Sequence, residues 1–241
     1  MENIALFGLL ALIAECIGTL SGFGSSILFV PIASLFFDFK IVLGITAVFH
    51  VFSNISKILL FKKGINKNIS LKLGIPAVIF VIIGALLTNY IPIKSIEIVM
   101  SVVLIMLAIF LIFNNKYQLE QKDKNLYLGG TISGFLAGLI GTGGAIRGIT
   151  MIAFNLEKNV FIATSAIIDL GVDSSRAVVY IFSGYFLTEH IKLIPMLIII
   201  SIAGTAIGKY FLKYTSQDVF RYVVLVVILL ASILQMYKLL G

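Results

Sequence analysis

The chain has 241 residues, 60% hydrophobic and 12% charged, with a mean hydropathy of +1.12 and a formal net charge of +7. Soluble domains carry roughly a quarter charged residues, and a water-soluble chain of this size cannot hide so much apolar surface, which excludes a soluble domain. The lysines sit mainly in short connections, as the positive-inside rule produces, so the basic balance reports topology and not a nucleic-acid surface.

The apolar runs are long and continuous, which predicts membrane helices; a β-barrel would alternate over about ten residues per strand. The first run, 3–20, carries Glu15 and the one cysteine, Cys16. A single thiol allows no internal disulfide and no thiolate metal cluster. Met1, Glu2 and Asn3 offer no positive n-region, so this run is expected to be a retained membrane segment. It ends at Gly22-Phe23-Gly24-Ser25-Ser26. The run beyond, 26–37, is short of the roughly 20 residues that cross ~30 Å of hydrocarbon. The next, 41–61, carries Thr46, His50, Asn54 and Lys57 at steps of four, four and three, which sets them on one helical face. Lys62, Lys63 and Lys67 follow, then runs at 70–91 and 95–113.

Lys116 to Asn125 is hydrophilic and divides the chain, giving an N-terminal membrane repeat over 1–115, a cytoplasmic linker over 116–125 and a C-terminal membrane repeat over 126–241. The second part restarts at 127–140 and breaks at Gly141-Thr142-Gly143-Gly144. A short run with Arg147, 145–156, comes next, followed by 160–187, 191–212 and 219–240. The breaks are 119 positions apart (141 − 22). At that offset Thr46 meets Ser165, His50 meets Asp169, Asn54 meets Asp173 and Lys57 meets Arg176. With one further residue of slip, Gly84 meets Gly204. The expected fold is an all-α polytopic membrane protein with two homologous halves of about five segments, each half opening with a glycine-broken helix pair. If each broken pair dips in and returns, three crossings follow per half and the halves are inverted. If the pair is one interrupted span, there are four and the halves run parallel. In both, the 62–67 and 116–124 loops share the cytoplasmic side. Tyr90, Tyr117, Tyr127, Tyr185, Tyr210, Tyr214, Tyr222 and Tyr237 lie near run ends, as an interfacial belt would place them.

Interrupted helices at matching places in two halves point to a transporter's binding site. A helix restarting after Gly22, Gly24, Gly141, Gly143 or Gly144 presents unpaired N–H groups and a positive dipole end to an anion. Ser25, Ser26 and Thr142 add hydroxyls, and Arg147 adds a planar fork suited to oxyanions. The plain structural alternative is a close helix crossing, which also uses small residues. Asn54, Lys57 and Arg176 join the expected binding set. Glu15, His50, Asp169 and Asp173 are the expected coupling residues, since ionisable groups at membrane depth face the bundle interior or an aqueous path. Asp173 and Arg176 can pair at i, i+3. Glu15 has two readings, a coupling proton or a pair with Arg147 or Arg176. Lys57 also reads as a side chain snorkelling to its loop.

Two stretches resemble a known family. Ser21-Gly22-Phe23-Gly24-Ser25-Ser26-Ile27-Leu28-Phe29-Val30-Pro31 is similar to the first glycine motif of the sulfite exporter TauE/SafE family, and Gly134-Phe135-Leu136-Ala137-Gly138-Leu139-Ile140-Gly141-Thr142-Gly143-Gly144 to its second. The resemblance extends along essentially the whole chain and implies an inner-membrane permease of sulfite, sulfoacetate or related anions. Ser25-Ser26 where further glycines are common, together with Arg147, Asp169 and Asp173, departs from the usual pattern and bears on the substrate. The expectation is a transporter, not an enzyme, working by alternating access. No cofactor, metal or nucleic acid is expected; the partners are a small anion and the bilayer of the cytoplasmic membrane, with a homo-oligomer left open. The alternative is a proton- or cation-coupled carrier of a carboxylate or zwitterion. A thiol-disulfide electron carrier fails for want of a second cysteine.

Overall fold

The computed structural model describes residues 4–61, 64–113, 119–186 and 188–214, with residue 233. Over the described residues the chain is helical, with no strand. The first part forms α1 (Ile4–Ser21), α2 (Ser26–Ala33), α3 (Phe39–Leu60), α4 (Lys67–Leu87) and α5 (Ile93–Phe113). The second forms α6 (Asp123–Ile140), α7 (Gly144–Ile152), α8 (Lys158–Phe182), a short 3-10 helix (Thr188–Leu193) and α9 (Ile194–Leu212). The run expected at 219–240 lies outside the described residues apart from residue 233, as do Lys62, Lys63, Lys116, Tyr117, Tyr222 and Tyr237.

Helix is what these runs must form, because lipid offers no partner for a free backbone N–H or C=O. The starts and stops follow local chemistry. Asn66 caps α4 by accepting from the Ile69 N–H at 3.1 Å. α1 ends at Gly22 and Gly24, and α6 at Gly141, with φ of +67°, +86° and +81°, values that glycine adopts without a Cβ penalty. Helix α6 begins at Asp123, inside the stretch read as linker, and α8 stops at Phe182, short of the 187 expected. The short runs 26–37 and 145–156 are helical only to Ala33 and Ile152.

Among the described residues, five helical stretches are long and apolar enough to cross a membrane: α1, α3, α4, α5, and α9 with the turn before it. At 25 residues α8 is longer than α3, but Lys158, Asp169, Asp173 and Arg176 remove it from that apolar class. Its polar side faces protein.

Each glycine break is the tip of a hairpin. Phe7, early in α1, packs its ring on Phe29 of α2 and on Phe36 and Phe37 beyond it, at 5.8, 5.5 and 5.1 Å. So α2 runs back along α1. Likewise Gly129, early in α6, lies against Thr150, late in α7. Between elements, α1 packs on α9 and α4 on α6, while α3 and α8 lie against each other. The remaining large contacts are α3 with α9 and α4 with α8. Gly130, Gly134 and Gly138 of α6 press on the carbonyls of Leu73, Ala77 and Val81 of α4; a Cβ on Gly134 would lie 2.2 Å from the Ala77 oxygen. This is small-residue packing of membrane helices.

The bundle has two distinct ends. At one, the Asn66 N–H donates to Thr164 Oγ1 (3.0 Å), Lys209 Nζ donates to the Leu60 carbonyl (2.6 Å) and half-buried Lys72 pairs with exposed Asp123. At the other, Thr88 and Asn89 meet the Tyr185 hydroxyl at 3.1 and 3.0 Å. Tyr185 is therefore buried inside that end and not part of an interfacial belt, whereas Tyr90, Tyr127, Tyr210 and Tyr214 are exposed.

Candidate functional site

The two hairpin tips meet at the centre of the bundle. Ser26 Oγ lies 3.2 Å from Thr142 Oγ1. The approach is so close that a Cβ on Gly144 would fall 1.8 Å from the Phe23 carbonyl oxygen. Around the tips is a narrow cavity with space for little beyond a water molecule. The tips contribute Gly24, Ser26, Gly141, Gly143, Gly144 and Arg147 to its wall. Helix α3 adds His50, Asn54 and Lys57, and α8 adds Asp169, Asp173 and Arg176. Of the residues singled out in the sequence, Glu15, Gly22, Ser25 and Thr142 stand just behind this wall. The two stripes face each other because α3 and α8 pack together.

Three buried cations sit here, each opposed by a carboxylate. Arg147 pairs with Asp169, donates from Nε to Ser165 Oγ at 3.1 Å, and reaches the Phe23 carbonyl with Nη2 at 3.5 Å. Ser165 Oγ in turn donates to the Gly22 carbonyl at 3.2 Å. The second hairpin, through Arg147, and α8, through Ser165, thus hold the tip of the first. Arg176 pairs with Asp173 at 2.7 Å and donates from Nη1 to the carbonyls of Gly141 (2.7 Å) and Ala137 (3.2 Å), buried acceptors at the end of α6, where helix carbonyls lack intrahelical partners. Asn54 Nδ2 donates to the other Asp173 oxygen at 2.7 Å. The i, i+3 pair anticipated from the sequence is present.

Of the two readings of Glu15, the pair with an arginine is overturned. The carboxylate pairs with Lys57 at 2.8 Å, not with Arg147 or Arg176, because Asp169 and Asp173 already engage the two arginines. Lys57 consequently turns inward and is 5% exposed, so the snorkelling reading fails. Glu15 Oε1 also accepts from Ser53 (2.6 Å), Thr205 (3.1 Å) and Thr19 (3.2 Å), and Oε2 accepts from Ser25 (2.6 Å). Ser25 Oγ lies 2.7 Å from His50 Nε2, and His50 Nδ1 lies 2.8 Å from the Thr46 carbonyl. Ser53 and Thr205 were not singled out in the sequence. Ser53 sits one turn before Lys57, where an i, i+4 search would have found it. Thr205 is 190 positions from Glu15 and gave no local signal.

Among the described residues, no group of three or more His, Cys, Asp or Glu side chains is placed to hold a metal ion. The arrangement is a charge-balanced centre in which two hairpin tips are joined through hydroxyls, carbonyls and one guanidinium.

The chain matches the sulfite exporter TauE/SafE family over residues 7–235 and belongs to that family. It is also similar to a probable membrane transporter protein of Methanocaldococcus jannaschii, 31% identical over 166 residues, which are 62% of this chain and 61% of that one. The chain therefore spans about three fifths of the length of that relative. No solved structure matches it. Both the family and the relative's name belong to membrane transport and not to enzymes.

Proposed function

We propose that this member of the sulfite exporter TauE/SafE family moves a small anion, of the sulfite or organosulfonate class, across the cytoplasmic membrane by alternating access around the hairpin tips. The observation that carries the reading is Arg147 reaching from one hairpin to the Phe23 carbonyl at the tip of the other, beside a cavity lined by two further cations. A bound oxyanion replaces that carbonyl and the carboxylate partners as acceptor for the guanidinium fork. Releasing the tips from each other then opens the cavity to one side.

The halves are read as an inverted repeat. Exchanging them maps the packing of α1 on α9 onto that of α6 on α4, and α3 on α9 onto α8 on α4, and each of these contacts is present. The return of α2 along α1 and of α7 along α6 favours hairpins that enter and leave on one side, leaving three crossings per half. The end bearing Lys67, Lys72, Lys122, Lys124 and Lys209 is assigned to the cytoplasm.

Asp169 and Asp173 in the cavity wall favour one second reading, a substrate bearing both charges. Flux assays in vesicles of the purified chain separate the two. Sulfite, thiosulfate and sulfoacetate crossing, with zwitterions excluded, supports the anion; zwitterions alone crossing supports the second reading. Vesicles impermeable to all of them would sink both.

A further inference from the structure

Proton counting along one buried chain leads beyond that reading. His50 Nδ1 faces the Thr46 carbonyl at 2.8 Å, and a carbonyl only accepts, so Nδ1 carries a hydrogen. On its other side, Nε2 is 2.7 Å from Ser25 Oγ, which is 2.6 Å from Glu15 Oε2. Serine has one hydroxyl hydrogen. With Glu15 ionised and His50 neutral, that single hydrogen would have to serve two contacts. The unserved one would set lone pair against lone pair at hydrogen-bond distance, inside protein.

One more proton resolves the conflict in either of two ways. His50 is an imidazolium, Nε2–H donates to Ser25 and Ser25 donates to Glu15. Or Glu15 is a carboxylic acid, Oε2–H donates to Ser25 and Ser25 donates to a neutral His50. The forms interconvert by two hops, Nε2–H to Ser25 Oγ and Ser25 O–H to Glu15 Oε2, with no atom gained or lost. The charged groups facing the chain do not replace this proton. Lys57 of α3 engages Glu15 through Oε1, the atom remote from Ser25. Asp173 and Arg176 of α8 lie towards His50 but are paired to each other. Cys16 adjoins Glu15 on α1. Helix α9 presents the neutral Thr205, and α2 holds no ionisable residue.

We propose that Glu15, Ser25 and His50 form a proton-binding site holding one proton in common, and that this proton gives the central cluster the unit of positive charge a transported anion requires. Lys57, Arg147 and Arg176 are cancelled by Glu15, Asp169 and Asp173; with the shared proton the sum is +1. His50 lines the cavity while Glu15 is fully buried, so the chain runs from the substrate space into the protein. The device belongs to one half. At the 119-residue offset, Glu15, Ser25 and His50 fall on Gly134, Gly144 and Asp169 (15 + 119, 25 + 119, 50 + 119), so the fold does not require it. The role of the proton as counter-charge rests on the anion reading; its presence does not.

The chain has two histidines, so His190→Gln leaves His50 as the one nitrogen-15 histidine signal. The full chain in lipid nanodiscs near neutral pH is expected to show either an imidazolium by nitrogen NMR or a carboxylic acid infrared band that Glu15→Gln removes. Ser25→Ala abolishes the signal and Ser25→Thr, which keeps the hydroxyl, restores it. Neutral His50 with no such band, or a signal indifferent to Ser25→Ala in folded protein, overturns the proton site. Sulfite flux that rises several-fold with an imposed proton gradient supports the counter-charge, and flux indifferent to the gradient overturns that part. Vesicles that move no anion while the spectroscopic proton is present would refute the anion reading and leave the proton site standing.

Discussion

Asn54 Nδ2 donates to Asp173 Oδ2 over 2.7 Å, and the two residues stand 119 positions apart, the spacing that separates the two glycine breaks. Under the proposed repeat they are the same position in the two halves. Equivalent positions in a two-fold arrangement touch only beside the axis, as in an isologous interface. On that proposal the axis would run between α3 and α8, next to the cavity. The pair is also unequal, amide against carboxylate, so the proposed symmetric frame would carry asymmetric chemistry.

Removing Asp173 strands Arg176, which is buried and has one carboxylate partner. Asp173→Ala is expected to lower stability by about 3–5 kcal/mol, the range for orphaning a buried charge. Asn54→Ala, which leaves the ion pair intact, costs about 1–3 kcal/mol. Thermal unfolding of the two variants in one detergent checks the order; equal shifts would mean that the ion pair is not what matters there.

Arg147 holds Asp169, Ser165 and the Phe23 carbonyl with separate nitrogens. Lysine keeps the charge but not the fork. Arg147→Lys is expected to reduce sulfite flux roughly tenfold or more, the equivalent of one lost charged hydrogen bond, and Arg147→Ala to do no better. Wild-type flux in Arg147→Lys would show that only charge is needed.

Gly24 and Gly141 both have positive φ but different surroundings. A Cβ on Gly24 has Arg147 Nη2 at 3.6 Å and Asp169 at 3.9 Å, inside the cavity; one on Gly141 meets Leu43 at 2.8 Å. Gly24→Ala is predicted to fold with a backbone penalty of about 1–2 kcal/mol and to lose transport. Gly141→Ala is predicted to lose stability beyond that penalty. Melting curves paired with flux separate them, and normal transport in Gly24→Ala would remove the first tip from the pathway.

The α4–α6 contact has no room. Gly134→Ala forces a methyl onto the Ala77 carbonyl and is expected to cost about 3 kcal/mol, whereas Gly8→Ala, whose nearest neighbour is the flexible Met196 sulfur at 3.4 Å, should be nearly silent. Comparable melting temperatures for the two would contradict the packing.

Much of this was legible in the residues. Period, run length and the absence of alternation announce membrane helices, and the glycines announce the breaks. Of the two stripes, His50, Asn54 and Lys57 and Asp169, Asp173 and Arg176 line the cavity, because spacing fixes which side chains share a face, whereas Thr46 and Ser165 do not line it. Spacing says nothing about which helix that face meets. For that reason the partner of Glu15 came out wrong: the choice among Lys57, Arg147 and Arg176 depends on α1 lying against α9 and on each arginine already having a carboxylate on α8. The burial of Tyr185 is hidden for the same cause, since its hydrogen-bond partners, Thr88 and Asn89, lie 97 and 96 positions away in the chain.

The packing of α1 on α9 also sets an order of events in biosynthesis. Thr205, one of the hydroxyls on Glu15, is made 190 residues after it. At about 5–20 residues per second, the nascent first helix waits roughly 10–40 s for its full complement of partners. Lys57 arrives far sooner. An ion pair formed that early would lower the cost of holding a carboxylate-bearing helix in lipid, and a Lys57 variant is expected to fail first in yield and insertion, before any question of turnover arises.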